Sequence, residues 1–159
     1  MDKALLRQAT VDKLRADLEN ISRAAHMARD EATHEESKPE NQYDMHAQEA
    51  AYLAEGQARL AAELQDSIAI FQGMALPAFA ETTPIALGAC VTIETAGRKQ
   101  NYFIGPRNGG IEVEYDGAAF TVITPSSPLG KLLIGRRCGE TISTTNGGRT
   151  ISQRITAVK

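Results

Sequence analysis

Four carboxylates crowd a break in a long helical pattern: Glu35, Glu36, Glu40 and Asp44, with Ser37-Lys38-Pro39 among them. Carboxylates grouped this closely suit magnesium, a hard cation that takes oxygen ligands and keeps several polarised waters. The same acids also serve as a solvated loop that favours the N-terminus of the following helix through its dipole. Residue types alone favour the second reading. His26 and His34 are eight apart, with His46 beyond the break; they read more simply as surface or seam residues than as metal ligands. Cys90 and Cys138 have no partner at metal spacing and read as small buried or half-buried apolar residues, with a disulfide as the lesser alternative. No nucleophile–base pair or phosphate-binding glycine loop is recognisable, so a stand-alone enzyme is the class with least support.

Two helices must position the acidic break. Residues 2 to about 35 read as one helix, capped by Asp2, in which Val11, Leu14, Leu18, Ile21, Ala25, Ala28 and Ala32 recur at spacings of three and four. Pro39 disfavours helix at Lys38 and fits the first turn of a new one, which runs to about Gly73. His46, Ala50, Leu53, Gln57, Leu60, Leu64, Ser67 or Ile68, and Phe71 give the second seam. Two such helices joined by a few residues lie antiparallel as a hairpin roughly 45–50 Å long, with residues 37–43 at its tip. Gly73, Pro77 and Pro84 end the helical half, and from Ile85 the hydrophobic period changes to two.

Strands are expected over 89–95, 100–104, 111–115, 119–123, 140–145 and 150–158, with Asp116-Gly117 and Asn146-Gly147 as tight turns. One short helix interrupts them: Ser127 caps it, Pro128 opens it, Leu129, Leu132, Leu133 and Ile134 bury it, and Gly135 stops it. The fold class is therefore α+β: an antiparallel two-helix coiled coil over 1–76, a linker over 77–84, and a small antiparallel-sheet domain with one short helix over 85–159.

The net charge of −3 divides unevenly, −6 over residues 1–79 and +3 over 80–159, as expected for two units with different jobs. The acidic half is poorly suited to direct duplex binding. No apolar run approaches the roughly 18 residues of a membrane span, and the first residues lack a signal-peptide core, so the expected location is the cytoplasm, with no membrane partner.

A long helical hairpin followed by such a sheet domain resembles the bacterial Gre transcription elongation factors over nearly the whole chain. Glu40-Asn41 matches the Glu-Asn pair of the family's tip, and Ala47, Glu49, Glu55 and Gly56 fall on family-like positions, whereas Asp44 holds the place of the tip tyrosine and Tyr43 sits one residue early. The stretch 126–140, from Ser126-Ser127-Pro128 through Arg136-Arg137 to Glu140, looks like the family's Ser-Pro-led helix and turn, and 88–93 like the first strand of its FKBP-like C-terminal domain. Tyr and Phe are too few and scattered for an aromatic isomerase pocket.

The resemblance implies RNA polymerase as the partner. The C-terminal domain would dock at the rim of the secondary channel, and the hairpin would carry the tip to the active centre. There, two tip carboxylates help hold magnesium and activate the water that cleaves backtracked RNA. Glu40 falls on the Glu position and is the implied metal and catalytic residue; Ser37 falls on the Asp position, and Glu36, one residue earlier, is the candidate to replace it. Asn41 and Tyr43 at the tip, and Ser127, Pro128, Lys131, Arg136 and Arg137 on the second domain, are the implied polymerase contacts. The expectation is a monomer that is not itself an enzyme. It binds no cofactor in isolation, uses magnesium only in the polymerase complex, and meets nascent RNA only there. The alternatives are a coiled-coil interaction module, or a channel-occupying inhibitor without cleavage activity.

Overall fold

The structure, a computed structural model, describes residues 1–33, 45–146 and 149–159. Helix α1 spans Lys3–Thr33 and α2 spans Met45–Gly73. Six strands follow: β1 Cys90–Thr95, β2 Arg98–Ile104, β3 Glu112–Tyr115, β4 Ala118–Ile123, then helix α3 Pro128–Leu133, β5 Thr141–Asn146 and β6 Arg149–Val158. The chain divides into two compact units, one of Met1–Val11 with Ile70–Lys159 and one of Asp12–Ala69. Packing thus groups the start of α1 and the end of α2 with the sheet, where the sequence places all of 1–76 in the hairpin.

In the unit Asp12–Ala69 the seam of α1 follows the expected column: Leu14 and Ala28 are buried, and Leu18, Ile21 and Ala25 half-buried. Its polar face carries the exposed pairs Lys13–Asp17 at 3.0 Å and Arg23–Glu19 at 2.9 Å, each worth only a few tenths of a kcal/mol, about 0.3–0.5. On α2 the expected column is corrected. Leu53 and Leu60 are 55% and 45% exposed, and the inward positions are Ala54, Gln57, Ala61, Leu64 and Ser67. Gln57, Leu64 and Ser67 stand as expected, and at the two alternate positions the column moves one residue later in the chain, from Leu53 and Leu60 to Ala54 and Ala61. Facing alanines allow two helices to approach closely, and leucines there would hold them apart. The side chains of Ala32, His46 and Ala50 lie outside the described residues.

In the other unit, α1 starts where expected: the Asp2 carboxylate accepts from the backbone N–H groups of Ala4 and Leu5 at 2.9 and 3.4 Å. Arg7 donates to the Met74 carbonyl at 3.1 Å, so the first turns of α1 lie beside the chain leaving α2, as in an antiparallel pair. The segment 77–84, expected as a linker, is fastened within this unit. Lys3 donates to the carbonyls of Pro77 and Gly88 and lies 4.6 Å from the centre of the Phe79 ring, and Arg137 Nε donates to the Thr82 carbonyl at 2.9 Å.

The strands form one sheet in the order β3-β4-β2-β1-β6-β5. It is mixed rather than wholly antiparallel, because β4 inserts beside β2 in parallel register, Tyr102 opposite Thr121. The Asp116-Gly117 turn dictates that β3 and β4 pair, but not which of them lies next to β2. One sheet face and α3 enclose the core of Val91, Ile93, Ile104, Leu133, Ile155 and their neighbours. On the other face, Phe71 of α2 reaches Gly105 beside Val122. A Cβ at Gly105 would lie 2.8 Å from Val122 Cγ1 and 3.0 Å from Phe71 Cζ, so the glycine permits this approach. Cys90 is buried and Cys138 half-buried, and both are free thiols.

Candidate functional site

The Ser-Pro stretch builds a short, firmly set helix. Ser127 adopts extended geometry at φ −65° and ψ 157°, and Pro128 supplies the preset first turn. The Ser127 hydroxyl donates to the Thr124 carbonyl at 2.8 Å and accepts from the Gly130 N–H at 3.1 Å. Gly130 has no room for a side chain, since a Cβ there would lie 1.9 Å from the Thr124 oxygen. Leu133 is fully buried beneath the helix, and Leu129 is packed against the core. After α3, the Gly135 N–H donates to the Ile85 carbonyl and the Ile85 N–H to the Arg136 carbonyl, at 2.9 and 2.7 Å. Ser127 and Pro128 are thus held as parts of the helix start.

The cations of this stretch point outward. Lys131, Arg136 and Arg137 are exposed. Arg136 pairs with Glu140 at 3.1 Å, and the same carboxylate accepts from the Arg137 backbone N–H at 3.0 Å, which stiffens the turn. Leu132 and Ile134, expected in the core, are instead 36% and 39% exposed among these cations. A six-residue helix cannot bury four large side chains on one face, and nothing in residue type says which two stay outside. The result is a mixed apolar and cationic surface over 131–137.

Glu36, Glu40, Asn41 and Tyr43, the tip residues, lie outside the described residues, as do Ser37 and His34. Among the described residues no group of three or more His, Cys, Asp or Glu side chains is arranged to hold a metal. His26 sits on the hairpin with Arg29 and Glu55 along a groove of about 670 Å³ floored by alanines. Away from these surfaces, burial pushes the Cys90 thiol up to about 12, so it stays protonated and unreactive near neutral pH. Burial also lowers the Lys3 ammonium below its ordinary value.

No family model matches the chain, and no curated protein does. Among solved structures, it is similar to GreA factor homolog 1 (Gfh1) of Thermus thermophilus, with 21% identity, a TM-score of 0.38, and 95% of each chain covered. Thermus aquaticus Gfh1 gives 20% identity and a TM-score of 0.38 over 95% of this chain and 94% of that one. A GreA/GreB elongation factor from Nitrosomonas europaea gives 22% and 0.36 over 65% of this chain and 78% of that one. Values this low assign neither family nor activity.

Proposed function

We propose that the protein is a Gre-like transcription factor that acts on bacterial RNA polymerase. The tip of its helical pair would enter the secondary channel, and the surface over 131–137 would dock at the rim. The observation that carries this reading is the joint resemblance in sequence of the tip at Glu40-Asn41 and of the Ser127-Pro128 helix. The exposed Lys131, Arg136 and Arg137 beside Leu132 and Ile134 support it, because a mixed cationic and apolar surface suits an acidic protein partner. The chain would contribute a carboxylate at Glu40; the reacting centre belongs to the polymerase, which supplies magnesium chemistry when the ion is bound. The test is association with purified core polymerase, followed by a cleavage assay on backtracked complexes with magnesium. No association sinks the proposal. If cleavage occurs, Glu40→Ala should abolish it, and retained cleavage would overturn the role of Glu40.

A second reading is favoured by one residue. Ser37 stands where the resemblance leads one to expect an aspartate, and a neutral hydroxyl holds a cation less firmly than a carboxylate. On this reading the protein occupies the channel and alters elongation without efficient cleavage. Ser37→Asp separates the two, because it should create or raise cleavage in a channel-occupying factor. A cleavage rate unmoved by Ser37→Asp would remove the reason for this second reading.

A further inference from the structure

The cations of the surface over 131–137 are not equally available to a partner. Lys131 is exposed and, among the described residues, has no ion-pair partner. Arg137 Nε is committed to the Thr82 carbonyl at 2.9 Å. Arg136 Nη1 donates to Glu140 Oε2 at 3.1 Å, while Glu140 Oε1 accepts from the Arg137 backbone N–H at 3.0 Å. The two carboxylate oxygens thus have separate partners. Bracing the turn needs Oε1 alone, and an uncharged amide oxygen would serve there. The second oxygen adds something else: it neutralises a cation on the surface. That pair is half in water, its side chains 52% and 35% exposed, so it contributes little to folding and is open to exchange.

We propose that Glu140 occupies, from within the chain, the carboxylate seat that an acidic side chain of the partner takes on docking, and so masks Arg136 until the two exchange. Lys131 supplies the first attraction, because an unpaired cation steers an acidic surface before contact. Arg136 is released only when a second carboxylate replaces Glu140. Glu140 is tethered four residues from Arg136 and is therefore present at high effective concentration, so a ligand that offers charge alone competes poorly with it. A surface that also covers the exposed Leu132 and Ile134 brings the further contact needed to displace it. The mask thus discriminates between an acidic surface with apolar neighbours and any merely acidic one. The identity of the partner rests on the polymerase reading; the role of Glu140 does not.

The experiment measures the affinity of the full chain at low salt for two probes, core polymerase and poly-L-glutamate, which offers carboxylates without apolar groups. Glu140→Gln keeps an acceptor for the Arg137 N–H and sets an amide donor against Arg136, so the turn stays and the guanidinium is released; circular dichroism checks the fold. This variant should bind both probes about threefold more tightly, the scale of one exposed ion pair. The gain should fade towards about 1 M salt. In an Arg136→Ala background the same change should lose most of its gain. Lys131→Ala should weaken binding with or without Glu140. If core polymerase binds no form of the chain, the polymerase reading fails, and poly-L-glutamate still decides the role of Glu140. A Glu140→Gln chain that binds poly-L-glutamate no better than the parent, or that gains as much without Arg136, would overturn the proposal.

Discussion

Along Asp12–Ala69 the inward column of α2 carries alanine at two heptad positions, Ala54 and Ala61, and leaves Leu53 and Leu60 in solvent. Within the sheet unit the inward positions are large: Ile93, Ile104, Leu133 and Ile155 are buried to 1% exposure or less. Burial contributes in proportion to apolar area, so the sheet unit gains more per residue than the helical pair does. The pair holds its seam by close approach of small residues, and its outer leucines add little. Leucine content is therefore a poor guide to where stability lies in this chain.

The sharpest way to break that comparison is one leucine from each region. Leu133→Ala should cost about 4 kcal/mol, through lost transfer energy and the cavity left behind. Leu60→Ala should change stability by less than about 0.5 kcal/mol, because the side chain is already half in water and alanine is the better helix former. Urea denaturation of both variants checks the pair, and equal losses would mean that α2 turns Leu60 inward after all. Next in size is Gly130→Ala. Helix propensity favours alanine by about 1 kcal/mol. A Cβ 1.9 Å from the Thr124 carbonyl opposes it, and the backbone there is tied by the Ser127 hydroxyl and cannot shift cheaply. The clash wins, with an expected net loss of about 3 kcal/mol; a stabilised variant would show that the helix start is loose. Ser127→Ala should cost about 1 kcal/mol, since it removes the cap to Gly130. Polymerase affinity measured on the same variant then tests whether Ser127 touches the partner or only sets α3.

What could be read from the sequence follows from how local each cause is. The Asp2 cap, the α1 column, the Asp116-Gly117 turn and the Ser127-Pro128 helix start are each fixed by residues within a few positions of one another, and each stands as expected. On α2 the positions Gln57, Leu64 and Ser67 were legible and the alternate ones were not, because Ala54 and Ala61 run beside Leu53 and Leu60 with the same heptad period and only the opposite helix decides between them. The parallel β2–β4 register was hidden for a similar reason: it depends on which strand of a hairpin meets a third. At the candidate site, the helix carrying Lys131 was legible and the exposure of Leu132 and Ile134 was not. The fastening of 77–84 by Lys3 and Arg137 rests on contacts 74 and 55 residues apart, beyond any local pattern. The clustered acids of the tip are plain in the sequence, and their geometry lies outside the described residues.

The smallest effect expected sharpens the comparison within the sheet unit itself. Two of its hairpins close with two-residue turns of the same shape, Ala96-Gly97 at φ 49° and 80° and Asp116-Gly117 at 52° and 72°. Both first positions are left-handed, which suits Asp or Asn and costs an ordinary L-residue about 1–2 kcal/mol. Asp116 matches its position and Ala96 does not. Ala96 is exposed and open space surrounds a Cβ on the neighbouring Gly97, so no packing term confuses the outcome. Ala96→Asn should therefore stabilise by about 0.5–1 kcal/mol, a rise of about 1–4 °C in Tm for a chain of this size. Asp116→Ala should lose a similar amount. If Ala96→Asn leaves Tm unchanged, β1 and β2 are registered by their side-chain pairs and not by the turn.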